Sequence, residues 1–167
     1  TVSALAMLRR SNGDVEGAVA QLQSWLKDNP KDIDAREKLA EIYISENDVD
    51  GIVQQCQEIL KLEPDNLIAL NNLAWHLLNN DPQQALVYAK KAASLAPESI
   101  PILDTLAMAQ LQNNKIGEAR TSIDRALAAA PKSLEIRFHE AKIRAAEGDK
   151  SGAIAALNAI LKRGEDF

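Results

Sequence analysis

The chain has 167 residues, 46% hydrophobic, 26% charged and 4% aromatic, with 19 basic against 24 acidic side chains and a net charge of −5. That balance lacks the positive excess needed for non-specific binding to nucleic acid or an anionic membrane; no apolar run approaches the roughly 20 residues of a membrane span, and the single cysteine, Cys56, excludes an internal disulfide. Seven glycines and six prolines are few, Ala and Leu are abundant, and β-branched and aromatic clusters are sparse, which favours helices.

The chain opens at Thr1 with no initiator Met and no charged-then-apolar leader, as expected of a piece of a longer protein or a processed form. A first unit, about 1–32, carries Leu5 and Ala6, a turn at Gly13-Asp14, then Ala18 and Leu22, and stops at Pro30. The second, about 33–66, repeats this with Leu39 and Ala40, Tyr43 one turn later, Asn47-Asp48, Ile52 and Cys56, and Pro64. The third, about 67–99, is one residue shorter: Leu73 and Ala74, Asp81-Pro82, Ala85, Pro97. The fourth, about 100–133, has Leu106 and Ala107, Asn114, Ala119 and Ile123, and Pro131. The fifth, about 134–167, has Ala141, Gly148-Asp149, Ala153 and Leu157, and a last helix that Gly164 is expected to stop.

The four prolines are separated by 34, 33 and 34 residues. Each lacks an N–H and disfavours the α conformation in the residue before it, so a helix ends once per unit. The Ala positions on the two helices of each unit allow close approach, and Ile52 is expected to push its pair slightly apart. Gly13, Asn47, Asn114 and Gly148 suit the left-handed φ of a helix C-terminus. Asp14, Asp48, Asp81 and Asp149 are placed to cap the helix that follows, and Pro82 suits a first turn.

A helical hairpin of this period, with Leu-Ala on its first helix, Ala on its second and a closing Pro, resembles the tetratricopeptide repeat. The resemblance covers nearly the whole chain and implies an all-α, right-handed superhelical solenoid of about five helix-turn-helix units in a single array. It also implies that each first helix lines a concave groove. The groove residues would be Asp34, Glu37, Lys38 and Glu41, then Asn71, Asn72, Trp75 and Asn79, then Asp104, Thr105, Met108 and Gln112, and finally Phe138, His139 and Lys142. Two readings of this strip stand: a surface for an extended partner segment, with Asn71 and Asn72 bonding its main chain and the large apolar groups taking side chains, or gap-filling by Trp75 and Phe138 between helices. Ser3, Met7 and Arg10 in the first unit, Asp104 in the fourth and the lack of a lysine beside Asn71 do not match the terminal-carboxylate clamp of some relatives.

In the fifth unit Glu140 stands where earlier units have Leu, with Arg137 and Arg144 three and four residues away: a local ion-paired cluster or a charged contact site. Ile154, Leu157 and Leu161 are expected to be partly open, which would invite self-association. Enzymatic signals are weak: His76 and His139 lie 63 residues apart, His139-Glu140 lacks the second His of a metalloprotease string because Ile143 occupies its place, and there is no phosphate-binding Gly loop. No catalytic residue, metal ligand or cofactor is expected. Cys56 reads as an inert buried thiol.

Asn71-Asn72-Leu73-Ala74-Trp75, Asp81-Pro82-Gln83-Gln84-Ala85-Leu86, Leu103-Asp104-Thr105-Leu106-Ala107 and the closing Gly164-Glu165-Asp166-Phe167 resemble the C-terminal repeats of bacterial tetratricopeptide lipoproteins of exopolysaccharide production and the PEP-CTERM system. Met108 departs from the Trp or equivalent usual there. The resemblance implies a non-catalytic scaffold that binds a protein or peptide segment in a bacterial envelope or periplasmic secretion or exopolysaccharide system. The alternatives are a self-assembling superhelix, direct polysaccharide binding, and a cytoplasmic location.

Overall fold

Four times in the chain the same chemistry ends one helix and starts the next. Asn29, Glu63, Ala96 and Ala130 precede the four prolines; each takes an extended φ of −127° to −136° and donates its N–H to the carbonyl four residues back. Its own carbonyl then accepts from Asp32, Asn66, Ser99 or Ser133, each at 3.1 Å. Three of these four residues cap the following helix: Asp32 accepts from Ala35 N–H, Asn66 from Ala69 and Ser133 from Ile136.

The computed structural model describes the backbone of residues 1–164 and the side chains of residues 1–162. Among the described residues all regular structure is helical: α1 (Val2–Ser11), α2 (Val15–Asp28), α3 (Ile33–Glu46), α4 (Val49–Leu62), α5 (Leu67–His76), α6 (Pro82–Leu95), α7 (Ile100–Gln112), α8 (Ile116–Ala129), α9 (Leu134–Glu147) and α10 (Lys150–Gly164). The expected stop at Gly164 and the ending that follows it lie at and outside the last described residues. The turns follow the sequence. Gly13, Asn47, Asn114 and Gly148 all have positive φ, from 56° to 92°, and Asp14, Asp48, Asp81 and Asp149 each accept the N–H three residues on, at 2.8 to 3.0 Å.

The chain divides into two compact units, Thr1–His76 and Leu77–Phe167. In the first, Ala6, Ala18, Leu22, Leu26, Ala35, Leu39 and Ile42 form one core, with Val15, Val19 and Tyr43 against it. Gly51 shows why one small residue is needed on α4: a Cβ there would lie 2.6 Å from the Tyr43 ring. In the second, Ala85, Ala89, Ala107, Ala119 and Ile123 are fully buried, and α7 packs against α6, α8 and α9.

Leu5, expected on the apolar face, is half exposed, because its repeat equivalent Leu39 is enclosed by α1 and α2 and no described element encloses Leu5 in the same way. Ile154, Leu157 and Leu161 on α10 are open, as expected, at 60%, 36% and 66%.

Candidate functional site

The groove residues expected from the resemblance fall on α3 and α5 in the compact unit Thr1–His76 and on α7, α9 and the turn after α5 in the compact unit Leu77–Phe167. On α3, Asp34 is exposed and Glu37, Lys38 and Glu41 are partly open. Glu41 accepts from Lys38 Nζ and Arg10 Nη1, both at 3.0 Å. The Lys38 bond holds the Glu41 carboxyl below its ordinary range and raises the Lys38 ammonium in return. Glu37 is tied to the start of α5, since Asn66 Nδ2 donates to its Oε1 at 3.3 Å.

Asn71, Asn72 and Trp75 on α5 are all partly open. Positions 71 and 75, one turn apart, share a helix face. The Asn71 side-chain oxygen is buried with no hydrogen-bond partner, while the Asn72 side chain bonds the Cys56 thiol. Burial pushes that thiol up to about 11 despite the Asn72 bond, so Cys56 is the inert buried residue expected.

In the compact unit Leu77–Phe167, Asn79 and Gln112 are exposed and joined, Gln112 Nε2 donating to Asn79 Oδ1 at 3.2 Å. Phe138 is 46% exposed with the Lys142 ammonium 5.8 Å from its ring centroid. Asp104, Thr105, Met108 and His139 differ from the expectation: all four are buried. They lie where α7 is enclosed by α6, α8 and α9, and every residue from Ile102 to Gln110 is buried. His139 Nδ1 lies 2.8 and 2.9 Å from the two carboxylate oxygens of Asp104, so these two polar groups satisfy one another inside the core rather than facing a ligand.

Glu140 is also buried, and it is ion-paired, but not with both arginines expected. Arg144 and Arg120 donate to its Oε1, the latter at 2.8 Å. Arg120 also grips Glu147 at 2.9 and 2.6 Å. Arg137 instead donates to the Pro131 carbonyl at 2.8 Å. Helical spacing pointed to Arg137 and Arg144, whereas Arg120 comes from α8. A signal was present: Arg120 occupies the repeat position of Val19, Val53, Leu86 and Ile154, just as Glu140 occupies that of Leu5, Leu39, Leu73 and Leu106. The two departures from the apolar pattern face one another.

Among the described residues no group of three His, Cys, Asp or Glu side chains is placed to hold a metal, and no helix is long and apolar enough to cross a membrane. No curated protein sequence matches the chain significantly. Its fold is similar to that of MamA residues 41 to the end from Desulfovibrio magneticus RS-1, with a TM-score of 0.84 at 16% identity over 99% of this chain and 94% of that one. PilW, described as a widely conserved type IV pilus biogenesis factor, matches with a TM-score of 0.82 at 24% identity over 98% of this chain and 76% of that one. A thermophilic TPR protein of Thermus thermophilus matches at 0.72 and 20% identity, over 96% and 89%. The tetratricopeptide-repeat model matches residues 3–61 and 105–166, and a second model of the same description matches residues 76–133. With period, turn chemistry, buried small residues and these matches in agreement, the chain belongs to the tetratricopeptide-repeat family.

Proposed function

We propose that the chain is a non-catalytic scaffold that holds a segment of a protein partner, with the α3–α5 face of the compact unit Thr1–His76 as the principal contact. The observation that carries this reading is Asn71. Its side-chain oxygen is buried without a partner, one helical turn from a partly open tryptophan. A buried acceptor without a bond costs free energy, which turning the partly open Asn71 side chain outward to a partner N–H would recover, and tryptophan is a residue type that anchors binding surfaces. Membership of a repeat family supports the scaffold reading, and no enzyme family is indicated.

The system in which the scaffold works is read from the resemblance to envelope lipoproteins: a bacterial secretion or exopolysaccharide assembly, with the chain as one array within a longer protein. A fold shared with a protein described as a pilus biogenesis factor supports an assembly role of that general kind.

The test is affinity capture from lysate of the source organism with wild type, Trp75→Ala and Asn71→Ala. Both variants are expected to lose the captured partner while far-UV circular dichroism stays unchanged; undiminished capture by both removes this face from consideration. Quenching of tryptophan fluorescence by oligosaccharide, lost in Trp75→Ala, would replace the protein partner with a saccharide. A second reading, self-association, is favoured by the open Ile154, Leu157 and Leu161. Light scattering over a concentration series decides it, because a monomer throughout rules it out for this chain.

A further inference from the structure

The repeats carry an internal comparison. In the first unit Asp14 uses Oδ1 to accept the Gly17 N–H at 2.9 Å and Oδ2 to accept Arg9 Nη1 at 2.9 Å. The fifth unit does the same: Asp149 Oδ1 accepts from Gly152 at 2.8 Å and Oδ2 from Arg144 Nη1 at 3.3 Å. In the second unit Asp48 Oδ1 accepts the Gly51 N–H at 3.0 Å, but the position of Arg9 and Arg144 is taken by Tyr43. No bond or ion pair reaches Asp48 Oδ2 among the described residues.

At this place the structure has an open groove of about 370 Å³ between α2 and the α3–α4 turn. Val15, Val19 and Tyr43 form its apolar floor, and Glu16, Glu46 and Asp48 line it on the polar side. All three carboxylates are exposed, and none has a cationic partner among the described residues. The ring is fixed rather than free to fold into the groove: Gln23 Nε2 donates to the Tyr43 hydroxyl at 2.9 Å, and the ring lies across Gly51, where a Cβ would approach it to 2.6 Å. The third unit lacks this combination, with Leu77 and Asn80 in place of Tyr43 and Glu46.

We infer that this groove binds an arginine side chain of a partner protein, the guanidinium lying against the Tyr43 ring and toward the Glu16, Glu46 and Asp48 carboxylates. The match is chemical. A guanidinium stacks on an aromatic face and forks toward carboxylates, whereas a compact ammonium does not. The aliphatic stem of an arginine would cover Val15 and Val19, and three uncompensated carboxylates supply the complementary charge. None of these residues belongs to the α3–α5 strip, so this site stands or falls independently of that one.

The probe is N-acetyl-arginine amide, titrated into the ¹⁵N-labelled chain to millimolar concentration, with N-acetyl-citrulline amide as the neutral isostere and N-acetyl-lysine amide as the alternative cation. The expected result is saturable amide shifts confined to Val15–Gln23 and Tyr43–Gly51, stronger for arginine than for lysine and absent for citrulline. The double variant Glu46→Gln/Asp48→Asn keeps the helix cap, since Asn caps as well as Asp, and should weaken binding by roughly fivefold, as loss of two exposed charge pairs implies. Tyr43→Arg supplies the cation from within and should abolish the shifts. Equal response to citrulline, shifts elsewhere only, or wild-type binding by both variants overturns the assignment.

Discussion

Glu140 is the residue at which the repeat pattern and the chemistry part company. A carboxylate in an apolar register is costly unless paired, and here two arginines pair it, Arg120 from the neighbouring helix and Arg144 from its own. Removing one partner should therefore cost more than replacing the whole arrangement. Arg120→Ala is expected to lower unfolding free energy in urea by about 2 kcal/mol or more, whereas the double change Arg120→Leu/Glu140→Leu, which restores the apolar pair of the other repeats, should be neutral or stabilising. A double variant less stable than Arg120→Ala would show that the ion pair itself stabilises this junction. Cys56 makes the opposite case, a reactive residue type made inert by its surroundings. It is 1% exposed and its thiol is pushed up to about 11, so iodoacetamide at pH 8 should leave the native protein unmodified and alkylate it only once urea unfolds the chain. Neither the Arg120 partner of Glu140 nor the bond from Asn72 to Cys56 follows from spacing along one helix, because both come from across a packing interface.

At the scale of the element, the turns carry the clearest correspondence between sequence and structure. The four Gly or Asn positions before the second helices all adopt positive φ, and the four aspartates at the starts of second helices all cap. These features are local: a left-handed residue and a cap need only their own few neighbours, so they can be read from residue type and order. Gly148→Ala, at φ 92°, should destabilise by about 1 kcal/mol, while Asn47→Gly, at φ 56°, should be neutral or slightly stabilising. Chemical denaturation of the two variants checks this, and equal effects would mean that strain at the left-handed residue does not govern these turns. What could not be read locally is which first-helix side chains remain open. Asp104, Thr105 and Met108 have the same helical position as Glu37 or Asn71 or their neighbours, yet α7 is buried along nine consecutive residues, and three helices pack against it.

For the whole molecule, ionisation sets a window of maximum stability. Burial lowers the His76 pKa below its ordinary 6.5. The fold thus favours neutral His76, and the stability this supplies is present above pH 6.5 and lost as pH falls below it. Further acidification protonates carboxylates held below their ordinary 3.8 or 4.5: Asp32 by the Ala35 N–H, Glu41 by Lys38 and Glu147 by Arg120. Their contribution is likewise present above those values and lost as pH falls through them. Cys56 acts from the other side: its raised value favours the neutral thiol in the fold, a contribution present below pH 9.0 and lost as pH rises toward about 11. Thermal midpoints should therefore be flat between about pH 6.5 and 9, fall in two stages on the acid side and fall again on the alkaline side. His76→Gln should remove the first acid stage; its survival in that variant would assign the step to another group.

The repeat, its helical class and its turns were determined by the sequence alone, because a 33–34-residue recurrence of Pro, Ala and Gly or Asn is a statement about backbone conformation, which each short segment decides for itself. The tertiary structure decided which polar groups meet: Arg120 with Glu140, His139 with Asp104, Asn72 with Cys56, and the Tyr43 ring across Gly51. Those pairings join residues 8 to 35 positions apart through packed helix faces, and burial then settles which side chains a partner can still reach. A sequence read one helix at a time carries the period of such faces but not their contacts.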